Sequence, residues 1–165
     1  LRWVLLGAMG ASSKRIRIVT PYFIPDQGLL SGLILAAYRG VKVEIILPRR
    51  SNYAFADWAS NRQIKQLVEA GCDIYYRADI FDHSKIMSVD GRWALIGSSN
   101  WDTRSLRLNF ELDLECFSHD FAATIDSLID RRIANSVRVR PTEIYERPLP
   151  LRLRNALARL LLPYL

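Results

Sequence analysis

Short apolar runs alternate with helix-like segments along most of this chain, and this alternation limits the possible folds more than any other feature. Lys14–Thr20 is β-branched and alternates in polarity, which predicts a strand ending at Pro21. Val41–Leu47 is an almost continuous apolar run closed by Pro48, as in a strand buried on both faces. Between these runs, Asp26 can cap a helix whose apolar residues recur at helical spacing. This order is typical of a strand–helix–strand unit.

The rest of the chain repeats the pattern. Further strands are predicted at Cys72–Tyr76, Ser84–Val89, Trp93–Ile96 and Glu111–Phe117, and helices at 2–13, Tyr53–Ala70 and His119–Ile133. Asp90 and Gly91, between two of the strands, are a strong signal for a hairpin turn. We therefore predict an α/β domain in which a mixed β-sheet is flanked by helices on both faces, an α-β-α sandwich.

Composition narrows the class of protein. Half of the 165 residues are hydrophobic and 24% are charged, which excludes a disordered chain. The apolar runs are shorter than the ~18 residues that a membrane-spanning helix needs. The chain begins without an initiator methionine or a signal-peptide pattern, so we expect it to be cut from a longer protein. Its net charge of +6 suggests an anionic partner: nucleic acid, a lipid headgroup or a phosphate ester.

The end of the chain differs in composition, and we place a boundary between a domain at 1–146 and a tail at 147–165. The tail combines four arginines with many leucines and contains no acidic residue. A basic, leucine-rich segment of this kind can lie on an anionic membrane surface. A helix packed on its own domain, with its arginines in water, fits the same residues equally well.

His83 and Lys85 are the first candidates for chemistry. They are two residues apart on a predicted strand, so their side chains leave the same face of the sheet. An imidazole and an ammonium that converge on one point suit a phosphodiester. The ammonium offsets the phosphoryl charge, and the imidazole attacks phosphorus or protonates the leaving oxygen. Either residue alone is ordinary in a strand, so the prediction depends on their conjunction.

The next predicted strand ends in Gly97–Asn100. Its small residues let the backbone approach a ligand closely, while Ser98 and Asn100 supply uncharged hydrogen-bond donors for phosphoryl oxygens. A catalytic histidine also needs an acceptor that holds its other ring nitrogen and fixes its tautomer. Glu111, at the start of the following strand, is our candidate for that acceptor.

Together these residues spell H-x-K-x₄-D followed by G-S-x-N, with Asp90 as the aspartate. Asp90 also belongs to the hairpin turn, whatever else it does. The combined pattern resembles the signature of the phospholipase D superfamily. The segments Thr20–Asp26 and Asp102–Glu111 resemble the C-terminal half of bacterial cardiolipin synthases.

The resemblance implies a phospholipase D-like domain with one such motif. It implies catalytic roles for His83, Lys85, Asp90 and Glu111, and binding of the substrate phosphate by Ser98 and Asn100. In the family the histidine becomes a phosphohistidine or serves as the acid, and a carboxylate at the place of Glu111 orients it. No cofactor is expected, because one phosphodiester replaces another. No metal is expected either, because the two histidines lack metal-ligand spacing to each other and to the cysteines.

The implied reaction joins two phosphatidylglycerols into cardiolipin and glycerol at the bacterial cytoplasmic membrane. Family members of this kind carry two motifs, and the first usually supplies the nucleophile, which makes His83 the acid. The implied partners are an anionic phospholipid, the membrane surface and a second domain with the same motif, from a missing N-terminal half or a second copy. Nucleic acid is not expected. A phospholipase D that hydrolyses its lipid and a dimeric endonuclease of the same superfamily remain the alternatives.

Overall fold

The computed structural model describes residues 1–50, 52, 54–77, 81–141 and 151. The helices within them are α1 (Arg2–Ala11), α2 (Gln27–Tyr38), α3 (Ala54–Glu69), α4 (Thr103–Arg107) and α5 (His119–Ala134). The strands are β1 (Arg15–Val19), β2 (Phe23–Ile24), β3 (Lys42–Pro48), β4 (Asp73–Arg77), β5 (Lys85–Val89), β6 (Trp93–Gly97), β7 (Trp101–Asp102), β8 (Asp113–Cys116) and β9 (Ser136–Arg138).

The main sheet has seven strands in the order β8-β6-β5-β1-β3-β4-β9. β1, β3 and β4 are parallel, and the other neighbouring pairs are antiparallel. A separate parallel pair joins β2 to β7. The predicted mixed α/β sheet is therefore confirmed. The prediction missed β2, β7, β9 and α4, because segments of two to five residues are too short to show a hydrophobic period.

Helices cover both faces of the sheet, as predicted, and the pleat of each strand divides its side chains between two cores. Ile16 and Ile18 of β1 face the core shared with α1, α2 and α3. Val19 faces the opposite core, where Ile125 and Ile129 of α5 pack. This alternation follows from the two-residue period of a strand, and it gives each face of the main sheet its own helical cover.

The α5 face also buries charges. Arg17 on β1 and Glu44 on β3 are both 3% exposed, and their side chains pair at 2.8 Å. The Arg17 guanidinium also donates to the backbone carbonyl of Asp126 on α5, at 2.9 Å. Ser88 on β5 donates to the Asp126 carboxylate at 2.8 Å. Because buried charges are costly unless they are paired, these contacts hold α5 in one position on the sheet.

The predicted tail at 147–165 lies outside the described residues, apart from Leu151, and both the tail and its boundary at 146 stay predictions. Among the residues that are described, no helix combines the length and the apolar character needed to cross a membrane.

Candidate active site

The pairing of β5 with β6 brings the two parts of the sequence motif together. Lys85, the first residue of β5, lies opposite Gly97, the last residue of β6. His83 comes just before β5 and Asn100 just after β6, so both lie at the same end of this strand pair. The turn at the other end confirms the predicted hairpin, and Asp90 adopts a positive φ of 55° there.

His83 is exposed at this end of the sheet. Its imidazole stands edge-on to the ring of Tyr22, with 6.3 Å between the ring centroids, and is tilted against Phe81 at 5.7 Å. Sequence reasoning missed both aromatic neighbours. Phe81 adjoins the motif and could have been noticed, whereas Tyr22 is brought in by the fold. The imidazole is thus flanked by aromatic rings and still reachable by a substrate.

Lys85 lies just behind the histidine. The residue is 7% exposed, and its ammonium donates to the backbone carbonyl of His83 at 2.7 Å. Burial lowers the pKa of Lys85, and the carboxylates of Glu111, Asp102 and Asp82 act in the opposite direction. A half-desolvated cation at this point has a stronger electrostatic effect on a bound phosphodiester than one in open water.

Glu111 is brought to Ser98. The Ser98 hydroxyl donates to one carboxylate oxygen of Glu111 at 2.5 Å, and the Asn109 amide donates to the other at 3.2 Å. The hydrogen bond from Ser98 lowers the pKa of Glu111, with a smaller effect from Asn109. No hydrogen bond joins Glu111 to His83 within the described residues. The structure thus fixes the carboxylate at the site without the orienting contact that the sequence predicted.

Asn100 belongs to the same loop as Ser98, between β6 and β7. Its side-chain N–H₂ group donates to the Ser105 hydroxyl at 3.3 Å, and its amide oxygen is buried without a hydrogen-bond partner in the described part of the chain. Asp102, which also matches the synthase segment, accepts from the backbone N–H of Ser105 at 2.7 Å and caps α4. The loop after β6 is therefore tied to the helix that follows it.

Gly97 leaves room for β8. A Cβ atom at this position would lie 2.6 Å from the carbonyl oxygen of Leu112 and would collide with the Asp113 side chain. Asp113 in turn accepts from the backbone N–H of Ser99 at 3.3 Å. The small residues of this segment predict close approach of a ligand, and that stays a prediction. At Gly97 the close neighbour in the structure is the adjacent strand.

Asp90 lies at the other end of β5, roughly 16 Å from Lys85 along an extended strand. Its carboxylate accepts from the backbone N–H groups of Ser13, Lys14 and Arg15 at 2.7–2.8 Å. Partial burial acts to raise the pKa of Asp90, but these hydrogen bonds outweigh it and the pKa lies below its usual value. The structure therefore separates Asp90 from the other site residues and joins it to the start of β1.

Two cavities adjoin these residues. One, of about 450 Å³, lies beside Tyr22 at the carboxyl ends of β1, β3 and β4, and a second, of about 340 Å³, is lined by Ser105, Glu111 and Asp113. Among the described side chains, no three His, Cys, Asp or Glu residues gather in an arrangement that could hold a metal ion.

A histidine, a buried lysine, and serine and asparagine side chains gathered at one end of a mixed sheet define a phospholipase D-like domain. The chain belongs to the family described as cardiolipin synthase, phospholipase D-like domain, whose profile matches residues 5–133.

Curated relatives support this assignment, and one solved structure shares the fold. The chain is 35% identical to cardiolipin synthase 1 of Staphylococcus epidermidis over 94% of its length, and 37% identical to the major cardiolipin synthase ClsA of Bacillus subtilis over 95%. It spans only about a third of these curated relatives, 32% and 33% of their lengths. The crystal structure of phosphatidylserine synthase from Haemophilus influenzae has the same fold, with a TM-score of 0.79, 18% identity, and coverage of 99% of this chain and 44% of that one.

We expect Asp90→Asn to lower the free energy of unfolding by about 2 kcal/mol, because three backbone donors lose a charged acceptor. The depressed pKa makes this contribution complete above the unfolded-state value of about 3.9 and removes it as the pH falls through the folded-state pKa. Denaturant unfolding of the two proteins at pH 7 and pH 3 measures the effect, and the difference between them should shrink at pH 3.

Asp120→Asn, at an exposed position in the first turn of α5, is the matched control and should cost about 0.5 kcal/mol. An Asp90→Asn protein as stable as wild type at pH 7 would contradict the structural role of this carboxylate.

Proposed function

We propose that the full protein transfers a phosphatidyl group from one phosphatidylglycerol to another and so forms cardiolipin and glycerol. The observation that carries the proposal is the meeting of His83, Lys85 and the Ser98–Asn100 loop at one end of the β5–β6 pair, in a chain of the cardiolipin synthase family. These groups are the types that a phosphodiester exchange requires: a nucleophile or acid, a fixed cation and neutral hydrogen-bond donors.

The reaction proceeds in two displacements. A histidine nitrogen attacks phosphorus in the first phosphatidylglycerol. The bond from phosphorus to the oxygen of the headgroup glycerol breaks, and an acid gives that oxygen a proton. The glycerol hydroxyl of the second phosphatidylglycerol then attacks the phosphohistidine, loses its proton to the same group and displaces the histidine. Each step replaces one bond to phosphorus by another, so no nucleotide is consumed.

His83 is the acid in this proposal and Lys85 stabilises the charge on the phosphoryl oxygens. Lys85 is suited to that role because it is buried and hydrogen-bonded to the histidine's own peptide group. Asn100 and Ser98 hold the phosphate, and Glu111 orients the imidazole. Orienting requires a hydrogen bond between His83 and Glu111, whose carboxylate accepts from Ser98 and Asn109 in the structure, and catalytic hydrogen bonds often tighten only in the complex.

The second histidine comes from a second phospholipase D-like domain. Two displacements need a nucleophile and an acid together. β8 runs from Asp113, opposite Gly97 at the site, to Cys116, opposite Ala94, and the other histidine described here, His119, follows that distant end of the strand. The relatives are about three times as long as this chain, which leaves ample length for such a domain.

The edge at β8 offers a surface for that domain. β8 pairs with β6 on one side and, within the described part of the chain, has no partner strand on the other. Five large apolar residues on or near it have more than half of their surface exposed: Leu108, Phe110, Leu112, Leu114 and Phe117. We call these five residues the β8 patch. Large exposed apolar residues grouped near the edge strand of a sheet are typical of an interface. The patch adjoins Glu111, so a domain docked here would meet the site.

The membrane surface and its phospholipids are the remaining proposed partners, at the bacterial cytoplasmic membrane. Their support is the name of the family and the net charge of +6, which favours anionic lipid headgroups.

His83→Ala tests the reaction directly. The full-length protein is incubated with phosphatidylglycerol vesicles and, separately, with plasmid DNA, and the lipids and DNA are analysed. We expect cardiolipin from the wild type, and at least about 10³-fold less from His83→Ala, with unchanged thermal unfolding. His119→Ala, the other histidine, is the matched control and should retain wild-type transfer. Phosphatidic acid alone would identify a hydrolase, nicked DNA an endonuclease, and either would overturn the transfer.

Glu111→Gln tests the orienting carboxylate. The amide keeps the shape of the side chain but no longer attracts an imidazolium, so we expect transfer to slow by about 10²-fold. Sedimentation of the protein with phosphatidylglycerol vesicles should stay at the wild-type level. An unchanged rate would remove Glu111 from the mechanism.

Leu112→Ser combined with Leu114→Ser tests the β8 patch. Loss of two apolar anchors should weaken docking of the second domain and reduce cardiolipin formation at least about tenfold, while the unfolding midpoint changes little because both residues are exposed. Leu35→Ser, at an exposed leucine on α2, is the control. Equal rates for the double variant and the control would exclude this surface as the interface.

A further inference from the structure

Asp82 and Ser84 flank His83 in the chain, and both point toward α5. The side chains that follow on β5 continue this alternation: Ile86 packs with the α5 core and Ser88 donates to Asp126 of α5. His83 therefore lies between two residues that are anchored on the face of the sheet opposite to its own.

Arg132 of α5 contacts both Asp82 and Ser84. Its Nε lies 2.9 Å from the Asp82 carboxylate, and its Nη2 donates to the Ser84 hydroxyl at 2.9 Å. Arg77 of β4 donates to the same carboxylate at 3.0 Å, and the backbone N–H of Ser84 donates to its other oxygen at 3.0 Å. The Asp82 side chain is 10% exposed and that of Arg132 is 13% exposed. The four groups form a cluster that we call the Asp82 clamp.

The charges of the Asp82 clamp keep it together. Burial acts to raise the pKa of Asp82, but the hydrogen bonds from Ser84 and the positive charges of Arg132 and Arg77 outweigh it, and the pKa is lowered. The carboxylate is thus ionised and shared by two guanidinium groups. Each guanidinium also has one buried nitrogen without a hydrogen-bond partner among the described residues, Nε of Arg77 and Nη1 of Arg132. Asp82 is therefore the carboxylate that compensates the partly buried charges of Arg77 and Arg132.

The position of Arg132 on its helix is informative. Ile125 and Ile129 form the stripe by which α5 packs on the sheet, and Arg132 is three residues further along that stripe. A charged side chain at a sheet-facing position is costly unless it is paired. Its neighbour Arg131, by contrast, is exposed.

We propose that Arg132 is a positioning residue for His83: through Asp82 and Ser84 it fixes the backbone on both sides of the histidine. From the other face, the Lys85 ammonium holds the carbonyl of His83 itself. The peptide is therefore held from both faces of the sheet, whereas the ring is exposed beside Tyr22 and Phe81. Placement of an acid to within about 0.5 Å is what efficient transfer requires, and a misplacement of about 1 Å can cost about 10²-fold in rate.

The inference rests on the proposed transfer, and the test separates the two. Arg132→Met keeps the length of the side chain and removes the guanidinium, and Arg131→Met is the matched control on the same helix turn. In the full-length protein with phosphatidylglycerol vesicles, we expect kcat to fall by about 10²-fold for Arg132→Met, with KM changed less than about twofold, and no change for Arg131→Met. Asp82→Asn, which preserves the size of the side chain, should lower kcat by about tenfold. This second variant keeps the proposal testable if Arg132→Met does not fold.

Hydrogen–deuterium exchange provides a readout that does not depend on activity. In Arg132→Met, the backbone at 81–86 should exchange faster, while β1 and β3 keep wild-type exchange. If the wild type forms no cardiolipin, the proposed function fails, and local loosening at 81–86 still supports the clamp. Three results would overturn the positioning role of Arg132: wild-type kcat in both Arg132→Met and Asp82→Asn, wild-type exchange at 81–86 in Arg132→Met, or a uniform rise of exchange throughout the domain.

Discussion

The antiparallel pairing of β5 with β6 is the interaction on which the site depends. It places Lys85 opposite Gly97, and thereby brings the H-x-K segment next to the loop that carries Ser98 and Asn100. A shift of this register by one residue would move every side chain of a strand to the opposite face of the sheet. Met87 and Ile86 oppose such a shift, because each is buried in a different core. The site is therefore held in place by burial on both faces as well as by the hairpin turn.

The two faces of the main sheet differ in polarity. The face toward α1, α2 and α3 is largely apolar, whereas the face under α5 contains paired charges such as Arg17 with Glu44. The Asp82 clamp continues this polar layer to the end of β5, next to His83. Ion pairs specify direction and distance more narrowly than apolar contacts do, so a polar layer is suited to support a residue that must be placed accurately.

The domain has a complete core but contributes only part of the proposed chemistry. One histidine lies at the end of β5, and the chain spans about a third of its curated relatives. Next to Glu111, the sheet formed by the described residues ends at β8, and large apolar residues on and near this strand are exposed. An apolar sheet edge is a liability for an isolated domain and an advantage for one that pairs with another. The proposed pairing accounts for both the apolar edge and the presence of only one of the two described histidines at the end of β5.

The α/β class, the longer strands and helices and the conjunction of His83 with Lys85 can be predicted from the sequence, because they depend on local periodicity and spacing. The sequence also predicted the turn at Asp90, but the capping of β1 by that carboxylate depends on residues distant in the chain. The hydrogen bond between Ser98 and Glu111, and the contacts of Arg132 with the neighbours of His83, emerge only when the chain is folded. Periodicity assigns a side chain to a face, whereas its partner on that face is set by how the helices and strands pack together.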